Sequence, residues 1–127
     1  MTENQIATAI LDAAFKIHRT LGPGLLESVY QATLEFELQN RGFGVARQVG
    51  LPVHYEEIKL DIGFRVDLIV ADKVIIEIKS VEALIPVHKK QLLTYLRLMD
   101  LRLGLLLNFN VELMKDGIQR VVNGLAL

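Results

Sequence analysis

Two β-prone runs, Phe64–Ala71 and Val74–Lys79, are separated only by an Asp72-Lys73 turn signal, and each carries charge where an apolar residue would pack better. A connection this short joins antiparallel strands. Side chains alternate faces along a strand, so Glu77 and Lys79 project from one side, about 7 Å apart, and Ile76 and Ile78 from the other. A turn on the three residues centred at Asp72 leaves Asp67 and Glu77 equidistant from it. Their carboxylates then sit directly opposite, with Cβ atoms about 5 Å apart. A two-residue turn instead puts them on different faces. An ordinary surface hairpin with one exposed Asp and an in-register Glu–Lys pair also has this spacing, since D-x9-E-x-K is a short pattern that recurs by chance.

The rest of the chain supplies layers for such a hairpin. Thr2 and Gln5 have the spacing of a capping box, and Ile6, Ile10, Ile17 and Leu21 recur on one stripe, which predicts a helix over residues 3–20. Gly22-Pro23-Gly24 interrupts it. A second helix is expected from Leu25 to Asn40, with Leu26, Val29, Tyr30, Leu34 and Leu38 inward and Arg41-Gly42 as its stop. Val45–Leu51 and Val53–Tyr55 read as further strands, set off by turn signals at Gly50-Pro52 and Asp61-Gly63, in an antiparallel meander. Pro86 opens a third helix that ends near Asp100 to Arg102, with Leu92, Leu93, Leu96 and Met99 apolar. The almost wholly apolar run Leu103 to Phe109 fits a strand covered on both faces, followed by a short tail with its own Lys115-Asp116-Gly117 turn. This order predicts an α/β (α+β) sandwich, helices covering a central mixed sheet, in one domain over residues 1–127.

Composition excludes several classes. With 51% hydrophobic and 23% charged residues the chain is not intrinsically disordered, and with no cysteine it has no disulfide, no thiolate metal site and no Cys nucleophile. No basic leader precedes the first apolar residues, and no uncharged apolar run approaches the roughly 18 residues that span a bilayer, so a soluble, cytoplasmic protein without a membrane partner is expected. Net charge is −1, too little positive field to hold nucleic acid alone, although residues 86–127 carry 6 basic against 3 acidic side chains. A mean hydropathy of +0.34 in so short a chain points to self-association.

Opposed carboxylates raise one another's pKa unless something positive lies between them. A divalent cation fits, and hard oxygen ligands in this number suit Mg²⁺ or Mn²⁺, which keep waters and share substrate phosphate. A nearby lysine would orient or deprotonate an attacking water. Asp, Glu and Lys so arranged describe a phosphodiesterase site.

Gly24-Leu25-Leu26-Glu27-Ser28-Val29-Tyr30 is a G-x-x-E-x-x-Y signature. Together with Asp67, Glu77-Ile78-Lys79 and Gln91-Leu92-Leu93-Thr94-Tyr95, it makes the chain resemble the GxxExxY family of the PD-(D/E)XK nuclease superfamily over nearly its whole length. The resemblance implies a restriction-endonuclease-like αβββαβ core with an additional N-terminal helix. It further implies Asp67 and Glu77 as metal ligands, the Ile78 carbonyl and Glu27 as further ligands, and Lys79 as the catalytic lysine. Val66 stands where the superfamily's name has proline. Gln91 and Tyr95 resemble the Q-x-x-x-Y motif of RecB-like nucleases and share a helix face, which implies substrate contact; a core aromatic with a satisfied hydroxyl is the other reading of Tyr95.

Lys89 and Lys90, with Arg97 and Arg102 beyond, make the third helix the most basic part of the chain and a place for phosphate contacts. Glu27 also has a simple helix-dipole reading, and Tyr30 that of a packed ring whose hydroxyl holds a carboxylate. His18 reads as a helix-end histidine on C-terminal carbonyls, or as a metal ligand; His54 and His88 read as surface residues. The function these readings favour is a metal-dependent nuclease acting on DNA, or on RNA, with a dimer or partner protein supplying affinity. A nuclease-fold interaction or assembly module with a residual cation site is the alternative.

Overall fold

The computed structural model describes residues 1–60 and 64–125. The turn signal at Asp61-Gly63 lies outside the described residues. Helix α1 spans Glu3–Leu21 and is opened by the predicted capping box: Thr2 accepts from the Gln5 amide at 3.2 Å, and the Thr2 amide donates to Gln5 Oε1 at 2.9 Å. Helix α2 begins at Glu27, not at Leu25, and runs to Asn40. The residues between are taken up by the Gly-Pro-Gly turn, where Gly22 and Gly24 both adopt positive φ.

A five-stranded sheet follows. Its strands are β1 (Val45–Gly50), β4 (Arg65–Val70), β5 (Val74–Lys79), β6 (Leu103–Asn108) and β7 (Ile118–Val122), in the order β1-β4-β5-β6-β7. The β1–β4 and β4–β5 pairs are antiparallel, β5–β6 is parallel across helix α3 (Pro86–Met99), and β6–β7 is antiparallel, so the sheet is mixed, as expected. Two strands differ from the sequence reading. Val53–Tyr55 (β2) is not part of the meander but pairs with Ile58–Leu60 (β3) in a separate two-stranded ribbon. The tail after the Met114–Gly117 turn of 3₁₀ helix adds β7, a strand too short and too mixed in character to read from its pattern.

Helices α1 and α2 cover one face of the sheet. Their Ile6, Ile10, Ile17, Leu34 and Leu38 pack on Leu68, Val70, Val74, Ile76 and Ile78. Helix α3 covers the other, with Leu92, Tyr95 and Leu96 on Val66, Ile69, Ile75 and Leu106. β6 lies between the two layers and is buried at every position, which is why its sequence is apolar on both faces. None of the helices described is long and apolar enough to cross a membrane.

Candidate functional site

Ala71 and Asp72 both take the left-handed conformation, and the Lys73 amide closes the turn on the Val70 carbonyl at 3.0 Å. This is the three-residue turn centred on Asp72, and the pairs Val70↔Val74, Ile69↔Ile75 and Leu68↔Ile76 follow from it. The ladder stops there. At the next rung the two strands part and side chains take over the backbone's hydrogen bonds: Asp67 Oδ2 accepts from the Ile78 amide at 2.8 Å, and Glu77 Oε1 accepts from the Asp67 amide at 3.2 Å. Asp67 and Glu77 thus hold each other in the fork between β4 and β5.

Glu77 is only 8% exposed. Burial, and then the neighbouring negative charge of Asp67, push its carboxyl up to about 8; the Asp67 amide and the positive charge of Lys79 act in the opposite direction without balancing them. The pair is therefore short of positive charge. Two hard-oxygen carboxylates in that condition fit a divalent cation. Ile78 contributes only backbone, because its side chain lies in the core between β5 and the α1–α2 layer. Among the described residues no group of three or more histidine or acidic side chains is arranged to hold a metal ion, so Glu27 does not complete a three-carboxylate cluster.

Glu27 occupies the first position of α2, where its Oε1 accepts from the Ser80 amide at 3.4 Å, just beyond the end of β5. Ser80 Oγ in turn donates to the Leu25 carbonyl at 2.6 Å. A cleft of about 550 Å³ is lined by Leu25, Glu27, Ser28, Gln31, Gln48, Asp67 and Ser80, so Glu27 and Asp67 face one space. Tyr30 explains the G-x-x-E-x-x-Y spacing. Fully buried and stacked on Phe109 at 4.5 Å between ring centroids, it donates its hydroxyl to the Gly22 carbonyl at 2.6 Å and accepts from the Leu25 amide at 3.2 Å. The hydroxyl holds the turn before α2 and not a carboxylate, because the buried ring ends beneath that turn.

Tyr95 is 5% exposed and its ring lies 5.8 Å from that of Phe64. Burial raises its hydroxyl above the usual range, and the charges of Glu77 and then Asp67 raise it further, while Gln91 acts against them. Tyr95 is therefore within electrostatic reach of both carboxylates. Lys89 and Lys90 stand elsewhere on α3. They line a different groove, of about 610 Å³, with Pro86, Leu93, Arg120 and Val122 between α3 and β7.

The histidines also differ from the sequence reading. His18 Nε2 lies 2.7 Å from the Val111 carbonyl, on the segment after β6, so the ring ties α1 to that segment and leaves its own helix's carbonyls alone. His88 is half-buried and its Nδ1 accepts from the Ile85 amide at 3.2 Å, closing the start of α3. His54 is exposed, as expected. Gln31, Gln48 and Ser80 escaped sequence reasoning. Gln31 alone carried a signal, four residues after Glu27 on the same helix face.

A mixed sheet with helices on both faces, forked around an Asp–Glu pair with a lysine two residues on, defines a restriction-endonuclease-like fold. The PD-(D/E)XK nuclease superfamily model matches residues 4–121, and the chain belongs to that superfamily. No curated protein and no solved structure matches it.

Proposed function

We propose that this chain is a metal-dependent phosphodiesterase acting on nucleic acid, DNA in the first instance, and that it belongs within the superfamily to the GxxExxY group. The observation that carries the reading is the reciprocal hold of Asp67 and Glu77 in the β4–β5 fork, with Lys79 close enough to act on the charge of Glu77. Mg²⁺ or Mn²⁺ held by Asp67, Glu77 and the Ile78 carbonyl would supply Lewis acidity at the phosphoryl oxygens.

Every other role falls to the chain itself. One oxygen of Asp67 and one of Glu77 each accept from a backbone amide, so both carboxylates are tethered before substrate arrives. Lys79, half-buried beside Glu77, is the group to orient the attacking water and manage its proton. Gln91 and Tyr95 are assigned to the substrate side, which the action of both carboxylate charges on Tyr95 supports, while Glu27 shapes the wall of the cleft through Ser80. Lys89 and Lys90, on the far flank of α3, serve substrate only if nucleic acid wraps around that helix. The length of 127 residues, the lack of cysteine and the net charge of −1 support, in turn, one domain, a reducing cytoplasm and a second copy or a partner protein adding affinity.

Calorimetric titration with Mg²⁺ and Mn²⁺, on the wild type and on Glu77→Ala, tests this alongside incubation with labelled single- and double-stranded DNA. Binding and metal-dependent cleavage that are both lost in the variant are expected. A wild type that neither binds metal nor cuts, even with DNA present, overturns the reading in favour of a nuclease-fold interaction module.

A further inference from the structure

Gln48 sits at an interruption in the sheet. β1 and β4 pair at Val45↔Val70, Ala46↔Ile69, Arg47↔Leu68, Val49↔Val66 and Gly50↔Arg65, and the rung missing from this series is the one that would join Gln48 to Asp67. At that position Gln48 adopts φ +49, a left-handed conformation that a non-glycine residue in mid-strand holds only when its surroundings impose it. Three hydrogen bonds do so. Arg65 Nη1 donates to the Gln48 carbonyl at 3.1 Å, and the Gln48 side-chain amide donates both to Gln31 Oε1 at 2.9 Å and to Asp67 Oδ1 at 3.3 Å.

The consequence falls on Asp67. Its Oδ2 is already committed to the Ile78 amide, and without a second contact the carboxylate would be free to turn about that bond. Gln48 supplies the contact on the other oxygen, and Gln31, on the same helix face as Glu27, anchors the amide that makes it. The chain thus links the wall carrying Glu27 to the carboxylate pair through two neutral amides, which fix position without adding charge. A lysine or arginine at 48 would also reach Asp67, but would neutralise the carboxylate that a cation needs.

We infer that Gln48 is a positioning residue for Asp67, its strained backbone and its tie to Gln31 setting the carboxylate in the orientation that receives a cation and, on the proposed reading, the substrate phosphate. This rests on that reading for its purpose but not for its geometry.

Gln48→Gly removes the amide while suiting the left-handed backbone, so the fold is not put at risk. Two measurements are made on it beside the wild type: amide hydrogen exchange of Ile78 in metal-free protein, and Mn²⁺ affinity by calorimetry. Ile78 is expected to exchange about five- to tenfold faster in the variant while Val74, Ile75 and Ile76 are unchanged, and Mn²⁺ is expected to bind about three- to tenfold more weakly, orders of magnitude set by the loss of one charge-assisted hydrogen bond to a partly exposed carboxylate. Gln31→Ala gives a smaller change of the same sign. Unchanged Ile78 exchange, or Mn²⁺ binding as tight as or tighter than in the wild type, overturns the assignment. If the wild type binds no Mn²⁺ but Ile78 protection still drops in Gln48→Gly, the positioning role stands and the nuclease reading falls.

Discussion

Burial and the neighbouring Asp67 hold the Glu77 carboxyl at about 8 in the folded protein, whereas an unfolded chain releases that proton near the ordinary 4.5. Between those values the native state binds more protons than the unfolded one, so stability is greatest below pH 4.5 as far as this group is concerned, falls as pH rises towards 8 and levels off above it. In chelator, the thermal midpoint of the wild type should drop on the order of 10 °C between pH 5 and pH 8.5. Glu77→Gln, which carries no charge to desolvate, should flatten that slope, and at pH 8 Mn²⁺ should raise the midpoint of the wild type alone. Parallel pH profiles for the two proteins would contradict the burial of an uncompensated carboxylate. Tyr30 makes a contrasting case, since its role is mechanical. Tyr30→Phe keeps the stack on Phe109 but abandons the Gly22 carbonyl and the Leu25 amide, and denaturant titration should find it about 1–2 kcal/mol less stable.

Helix α3 approaches β6 over Gly104, and that approach seats the helix that carries Gln91 and Tyr95 on the sheet. A Cβ built on Gly104 would lie 2.9 Å from Leu92 Cγ and Cδ1, in a core where neither side can give easily. Gly104→Ala is therefore expected to cost about 1–3 kcal/mol, and adding Leu92→Ala should recover part of that cost, giving a favourable coupling in a double-mutant cycle read by denaturant unfolding. Additive losses would mean the helix is not seated on the strand through this pair. Elements of this kind were largely legible in the sequence. The apolar run of β6, the capping box at Thr2 and the turn at Asp72 each leave a local pattern, although the last left open a two-residue turn that would have parted Asp67 from Glu77. What lay beyond reading was made by non-local geometry. Gln48 meets Asp67 only because two strands lose a rung, Ser80 meets Glu27 only because β5 ends beside the start of α2, and β7 is defined by β6 more than by its own residues.

At the scale of the whole molecule, a net charge of −1 sets the terms on which nucleic acid can be held. Among the described residues, two cations are tied to the carboxylate site: Arg65, bonded to the Gln48 carbonyl, and Lys79, whose charge acts on Glu77. Lys89, Lys90 and Arg120 gather instead on the groove between α3 and β7. Each phosphate neutralised contributes about −0.9 to the slope of log affinity against log salt on a duplex, so contacts confined to the cleft predict a slope of about −2, and binding too weak to persist at physiological salt. Anisotropy of a labelled duplex with Lys79→Ala in Ca²⁺, set against the wild type, reads this directly: the wild type should show the shallow slope, and the variant should lose about one from it. A wild-type slope of about −3.5 or steeper would mean that the duplex also crosses α3 to reach Lys89 and Lys90, and that the two flanks of this helix form one continuous nucleic-acid path.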